Sequence, residues 1–92
     1  MKLKIKLLKP FSDTVGKGEL ELDFDGITLK DLLKVLVHKY PRLKKELYTK
    51  AGELTDYVSM FVNDKPISAL KGINTELENN DELLFFIPIS GG

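Results

Sequence analysis

Residues 2–8 alternate between lysine and aliphatic side chains. Lys2, Lys4 and Lys6 fall on one parity and Leu3, Ile5 and Leu7 on the other. Side chains of a strand point to opposite faces in turn, so this pattern describes a strand with one buried and one wet face. Residues 19–24 repeat it, with Leu20, Leu22 and Phe24 inward. Two half-buried strands need a layer to cover their apolar faces, and the next segment supplies one. Leu29, Leu32, Leu33, Leu36, Val37 and Tyr40 recur at helical spacing and form a single stripe. Thr28 precedes that stripe with Asp31 three residues on, the arrangement of a capping box with Asp in place of the usual Glu.

The rest of the chain completes the layer. Pro41 cannot continue the long helix but suits the first turn of another, and residues 42–50 read as a short helix packing Leu43 and Leu47. Residues 10–18 and 51–57 read as loops. A third strand is expected over residues 58–63, with Val58, Met60 and Val62 facing one way and Ser59, Phe61 and Asn63 the other. Asn63-Asp64 forms a tight turn, Ile67 a short edge piece, and residues 70–77 an irregular segment. Asn79-Asn80-Asp81 is a further turn, since Asn tolerates positive φ. A last strand spans residues 82–87. The order predicts an α+β fold: a mixed sheet of four to five strands with one long and one short helix on one face. The other sheet face is left open, so any large apolar residue on it is a candidate partner site.

Ninety-two residues make one domain with one core. The expected division is 1–89 for the folded domain and 90–92 for a flexible C-terminal tail. The 14 basic and 14 acidic side chains cancel, which gives no electrostatic case for nucleic acid or an anionic membrane as partner. No apolar stretch is long enough to span a bilayer, and the basic N-terminal segment never builds the apolar block of a signal peptide, so a cytoplasmic location is expected. The absence of cysteine excludes disulfides, thiolate metal sites and a cysteine nucleophile. If the protein handles sulfur, the sulfur rides on something other than a side-chain thiol.

Side chains offer no catalytic constellation. His38 is the only histidine and sits near the polar side of the main helix, more in keeping with a surface residue than a metal ligand. No segment resembles a phosphate-binding loop, and no serine has an evident base. The sequence does offer an unusual ending, Ser90-Gly91-Gly92, directly after the apolar run Leu83-Leu84-Phe85-Phe86-Ile87-Pro88-Ile89. Glycine is about 7% of residues, so a chance Gly-Gly end occurs about 0.5% of the time. Two glycines can thread a channel too narrow for other residues and present a free carboxylate on a slim stalk. The bland alternative is a disordered tail or a tag remnant.

Several features together resemble the ubiquitin-like β-grasp sulfur carriers. They are the strand order, the helix beginning at Thr28, the Phe61-Val62-Asn63-Asp64 turn, and Asp81-Glu82-Leu83 leading through Phe85-Phe86 to Gly91-Gly92. Within that group the chain is similar to the MoaD-like small subunits of molybdopterin synthase, especially the archaeal type. Residues 52–67 resemble an insertion of archaeal members. The chain departs from the pattern at Asn79-Asn80, where Asp-Gly is usual, and around Pro10-Phe11-Ser12, where many synthase subunits carry an arginine.

The resemblance implies a ubiquitin-like β-grasp fold and a carrier role. Gly92 would be adenylated by an E1-like adenylyltransferase using ATP and magnesium, and then converted to a thiocarboxylate, with Gly91 the slim residue behind it. No cofactor or metal would be bound by the chain itself. The loaded tail would enter a molybdopterin synthase large subunit and donate sulfur in molybdenum or tungsten cofactor biosynthesis. The same chemistry would serve tRNA thiolation or attachment to lysines as a ubiquitin-like modifier; a β-grasp interaction module with an inert tail is the remaining alternative. Aligned on that pattern, Leu83 and Phe85 face the core, while Leu8, Phe61, Leu84 and Phe86 form an outward partner-binding patch.

Overall fold

A computed structural model describes residues 1–88 of the chain. Its elements are β1 (Lys2–Leu7), α1 (Phe11–Val15), β2 (Glu19–Asp23), α2 (Leu29–Lys39), α3 (Leu43–Leu47), β3 (Ser59–Val62), β4 (Lys65–Pro66) and β5 (Glu82–Phe86), with 3-10 turns at Ile67–Ala69 and Gly72–Asn74. The strands form one five-stranded mixed sheet in the order β2-β1-β5-β3-β4. β1 and β5 lie parallel at its centre, and the remaining pairs are antiparallel. The two ends of the chain's folded part are therefore neighbours in the middle of the sheet.

Register follows from the apolar parity. β1 pairs with β2 through Leu3↔Leu22 and Ile5↔Leu20 on the inner face. The same register sets Lys2 opposite Asp23, Lys4 opposite Glu21 and Lys6 opposite Glu19 on the outer face. Three opposite-charge pairs thus reinforce the register that the core requires. Leu3, Ile5, Leu7, Leu20, Met60, Val62, Leu83 and Phe85 are buried, and α2 covers them with Leu29, Leu32, Leu33 and Leu36. Val37 and Tyr40 are half-buried against this core.

The capping box forms as its sequence suggests. The Thr28 hydroxyl accepts from the Asp31 N–H at 3.3 Å, and the Asp31 carboxylate accepts from the Thr28 N–H at 3.1 Å. Just before it, Gly26 is needed for space: a Cβ there would lie 2.7 Å from the Phe24 ring Cε1 and 2.8 Å from the Asp31 Cβ. The Asn63-Asp64 turn has φ of 48° and 70°, and Asn80 has φ of 70°, as expected of residues that tolerate the left-handed region.

Three expectations are corrected. Residues 10–18 are not all loop: residues 11–15 form α1, which buries Phe11 completely. The helical layer therefore holds two short helices beside the long one. Ile67 is no edge strand; β4 ends at Pro66, whose fixed φ and missing N–H suit an edge, and a 3-10 turn follows. The segment at 70–77 contains a second 3-10 turn. Among the described residues no helix is long and apolar enough to cross a membrane.

Candidate functional site

The outer sheet face divides into two halves. Toward β2 it carries the lysine–carboxylate pairs, extended by a 4.0 Å approach of Lys4 Nζ to Glu82 Oε1. Toward β3 and β4 it turns apolar. Phe61 pairs with Leu84 across β3 and β5, and with Pro66 across β3 and β4. Phe86 pairs with Ser59, one step along, and its ring stacks on Phe61 with centroids 5.8 Å apart. Leu8 lies just beyond β1; its N–H donates to the Phe85 carbonyl at 3.1 Å, which sets it abreast of Phe86.

The structure thus brings together the four residues named from the sequence. Phe61, Leu84 and Phe86 are half-buried and in mutual contact or register, and Leu8 is 52% exposed at their margin. Strand parity places Leu83 and Phe85 in the core at 1% exposure each, so Leu84 and Phe86 are forced outward. Pro66, which the sequence pattern does not mark, extends the patch. Its contribution comes from the β3–β4 hairpin, whose tight turn the sequence does mark at Asn63-Asp64 but whose two-residue second strand it does not.

The β5 end of the patch is held by a network at the opposite end of that strand. Asp81 is buried; its Oδ1 accepts from Asn63 Nδ2 at 2.7 Å and its Oδ2 from the Glu78 N–H at 2.7 Å. Asn63 Oδ1 in turn accepts from the Glu82 N–H at 2.9 Å. One carboxylate and one amide therefore fix the β3–β4 hairpin to the start of β5, and so fix the register that sets Phe61 beside Phe86.

β5 ends at Phe86, Ile87 packs partly on the core, and Pro88 is exposed. The chain leaves the sheet where Phe86 and Leu8 lie. Gly91 and Gly92, named from the sequence as the reacting tail, fall outside the described residues, as does the proposed tail boundary at residue 90. Among the described residues no cluster of three or more His, Asp or Glu could hold a metal ion. His38 is exposed on α2. The surface can offer contact and a leading strand to a partner.

Comparison with known proteins places this geometry. The ThiS family model matches residues 5–92. A protein of Archaeoglobus fulgidus assigned as a sulfur carrier is 28% identical over 90 residues, covering 98% of this chain and 100% of the relative. Small archaeal modifier protein 1 of Haloferax volcanii is 33% identical over 88 residues, covering 95% of this chain and 97% of the relative. The solution structure of small archaeal modifier protein 1 from Methanosarcina acetivorans superposes with a TM-score of 0.86 at 32% identity, over 99% of this chain and 96% of that one. With a family match that spans the sheet and runs through to residue 92, the chain belongs to the ThiS family, among the ubiquitin-like β-grasp sulfur carriers and small archaeal modifiers.

Proposed function

We propose that the protein is a sulfur carrier that works through the carboxylate of Gly92. The carrying observation is the placement of the Phe61–Leu84–Phe86 patch at the point where β5 hands over to Ile87-Pro88 and the Gly-Gly segment. A partner that grips this patch also meets the end of β5 at Phe86, from which Ile87 and Pro88 lead on. A carboxylate at neutral pH is a poor electrophile, so activation needs a partner with ATP chemistry. An E1-like adenylyltransferase using ATP and magnesium fits that role. The Gly92 carboxylate oxygen attacks the α-phosphorus of ATP and expels pyrophosphate. Hydrosulfide, released by a sulfur donor, then adds to the acyl carbon and expels AMP, which breaks the C–O bond and, with loss of the S–H proton to solvent, leaves a thiocarboxylate.

The destination we favour is a molybdopterin synthase large subunit, with this chain as the small subunit that donates sulfur for molybdenum or tungsten cofactor synthesis. Its support is the residue pattern from Asp81 to Gly92. A second reading, attachment of the activated Gly92 to lysines as a modifier, is favoured by the 33% identity with small archaeal modifier protein 1. Capture from native cells with tagged protein separates them. A stable, non-covalent complex with a synthase large subunit supports the first. Lysine conjugates that survive denaturation and end at Gly92, without that complex, support the second.

A further inference from the structure

A second surface lies on the helical side of the molecule, away from the open sheet face. It is a groove of about 680 Å³ between the outer flank of α2, the segment after α3 and the 3-10 turn at Gly72–Asn74. Lys30, Lys34 and Val37 line one wall; their spacing puts them along one side of α2, next to its buried stripe. Tyr48 and Leu54 form the opposite wall, and Ile73 closes one end. The four apolar lining residues, Val37, Tyr48, Leu54 and Ile73, are half-buried against the core and present part of their surface to the groove.

The groove is built, not collapsed loop. Tyr48 and Leu54 bridge as a short antiparallel pair. The Thr55 N–H donates to the Leu47 carbonyl at 2.8 Å, and the Thr49 N–H donates to the Glu53 carbonyl at 2.7 Å. These bonds tie the segment to the end of α3. Burial pushes the Tyr48 phenol up from its ordinary value of 10.0, in keeping with a partly dry wall.

Its charge is one-sided. Lys30, Lys34 and Lys44 stand at the rim, with Glu53 as the lone carboxylate. The chain as a whole is neutral, and on the open sheet face every β1 lysine has a carboxylate opposite it. Here three ammonium groups surround an apolar floor with one opposing charge.

We propose that this groove binds an acidic peptide segment of a protein partner, with apolar anchors against Val37, Tyr48, Leu54 and Ile73 and carboxylates against Lys30, Lys34 and Lys44. A segment of this kind places its anchors three or four residues apart, as an amphipathic helix does in a groove. Because the groove and the Phe61–Phe86 patch lie on opposite layers, both can be occupied at once. A chain held by the groove would keep the Phe61–Phe86 patch free for a second partner.

The test uses the full chain, labelled with nitrogen-15, and a synthetic peptide of about twelve residues bearing two leucines four apart among glutamates. The expected result is a set of amide shifts at Lys34, Tyr48, Leu54 and Ile73 with none at Leu84 or Phe86. The double change Lys34→Glu with Lys44→Glu should weaken binding about tenfold or more, and raising salt from about 0.05 to 0.5 M should weaken it several-fold. Both lysines are exposed, and an unchanged spectrum elsewhere will show the variant folded. Phe86→Ala should leave this affinity unchanged. Shifts centred on Phe61 and Phe86, or no shifts at millimolar peptide, would overturn the proposal. So would equal binding of a peptide with lysines in place of the glutamates. Decanoate displacing the peptide at lower concentration than the peptide itself binds would overturn it too, in favour of a small amphiphilic anion.

Discussion

The Phe61 and Phe86 rings stack across β3 and β5 with their planes inclined by 29° and their centroids 5.8 Å apart, on the face of the sheet that no helix covers. An aromatic pair half-open to water is costly to leave uncovered, and it offers a ready anchor for a partner. The neighbour in sequence does the opposite: Phe85 is 1% exposed and belongs to the core.

This gives a paired prediction. Phe86→Ala should weaken binding to the activating enzyme by about 2 kcal/mol. Its effect on folding should stay near 1 kcal/mol, the scale of a lost aromatic pair. Phe85→Ala should cost about 3–5 kcal/mol of stability through the cavity it leaves. Thermal melts and titration calorimetry on the two variants check this. A larger stability loss for Phe86→Ala than for Phe85→Ala would reverse the assigned parity.

Asp81 is expected to matter to stability although it lies at the opposite end of β5 from Phe86. Asp81→Ala leaves the Asn63 amide and the Glu78 N–H without their 2.7 Å acceptors. Orphaned donors of this kind cost about 1–3 kcal/mol. Denaturant melts should show that loss, and amide exchange should speed up at Asn63 and Glu82 before it does in β1.

Hydrogen bonds from the Thr28 and Ile27 N–H groups hold the Asp31 carboxyl below its ordinary value of 3.8. A carboxyl whose folded value is depressed favours folding once ionised. Its contribution is fully present above 3.8 and is lost as pH falls through the lower folded value. Asp31→Asn should therefore be less stable than the parent at neutral pH, with the gap in melting temperature closing as pH falls below 3.8 and through the lower folded value. A gap that stays constant over that range would exclude the ionised cap. Thr28→Ala, which removes the other half of the box, should cost about 1 kcal/mol.

Gly26→Ala should destabilise by about 1–3 kcal/mol, because its methyl group meets a buried Phe24 ring that has no room to move. Equilibrium unfolding of the variant tests this, and a neutral result would show that the 24–31 turn can shift.

Much of the fold was legible because parity and period are local. The β1 and β2 alternation, the α2 stripe and the Thr28–Asp31 box each lie within a dozen residues, and each forms as read. The parity of β5 was not local. Leu83 to Phe86 are all apolar, so only the register with β3 and β1 decides which pair faces out. Helix α1 escaped because its five residues are too short for a period and a single side chain, Phe11, anchors it. The patch could be named from a family resemblance, but Pro66 joins it through a hairpin strand only two residues long. The groove on the helical side gathers residues from Lys30 to Ile73, and no run of sequence announces such a gathering.

The central claim is that Gly92 carries the chemistry, and intact-mass measurement tests it most directly. The protein is incubated with its cognate activating enzyme, ATP, magnesium and a sulfur donor. The predicted result is a gain equal to one oxygen replaced by sulfur, located at Gly92. It should vanish when Gly92 is deleted or when one residue is added after it, and it should fall for Gly91→Val, which widens the stalk with a β-branched side chain. All three variants should keep the parent's melting temperature, because the buried core is built from residues between Leu3 and Phe85. Sulfur gained at any other residue, or sulfur transfer that persists in the tail-deleted protein, would contradict the account and leave a β-grasp interaction module whose tail is inert.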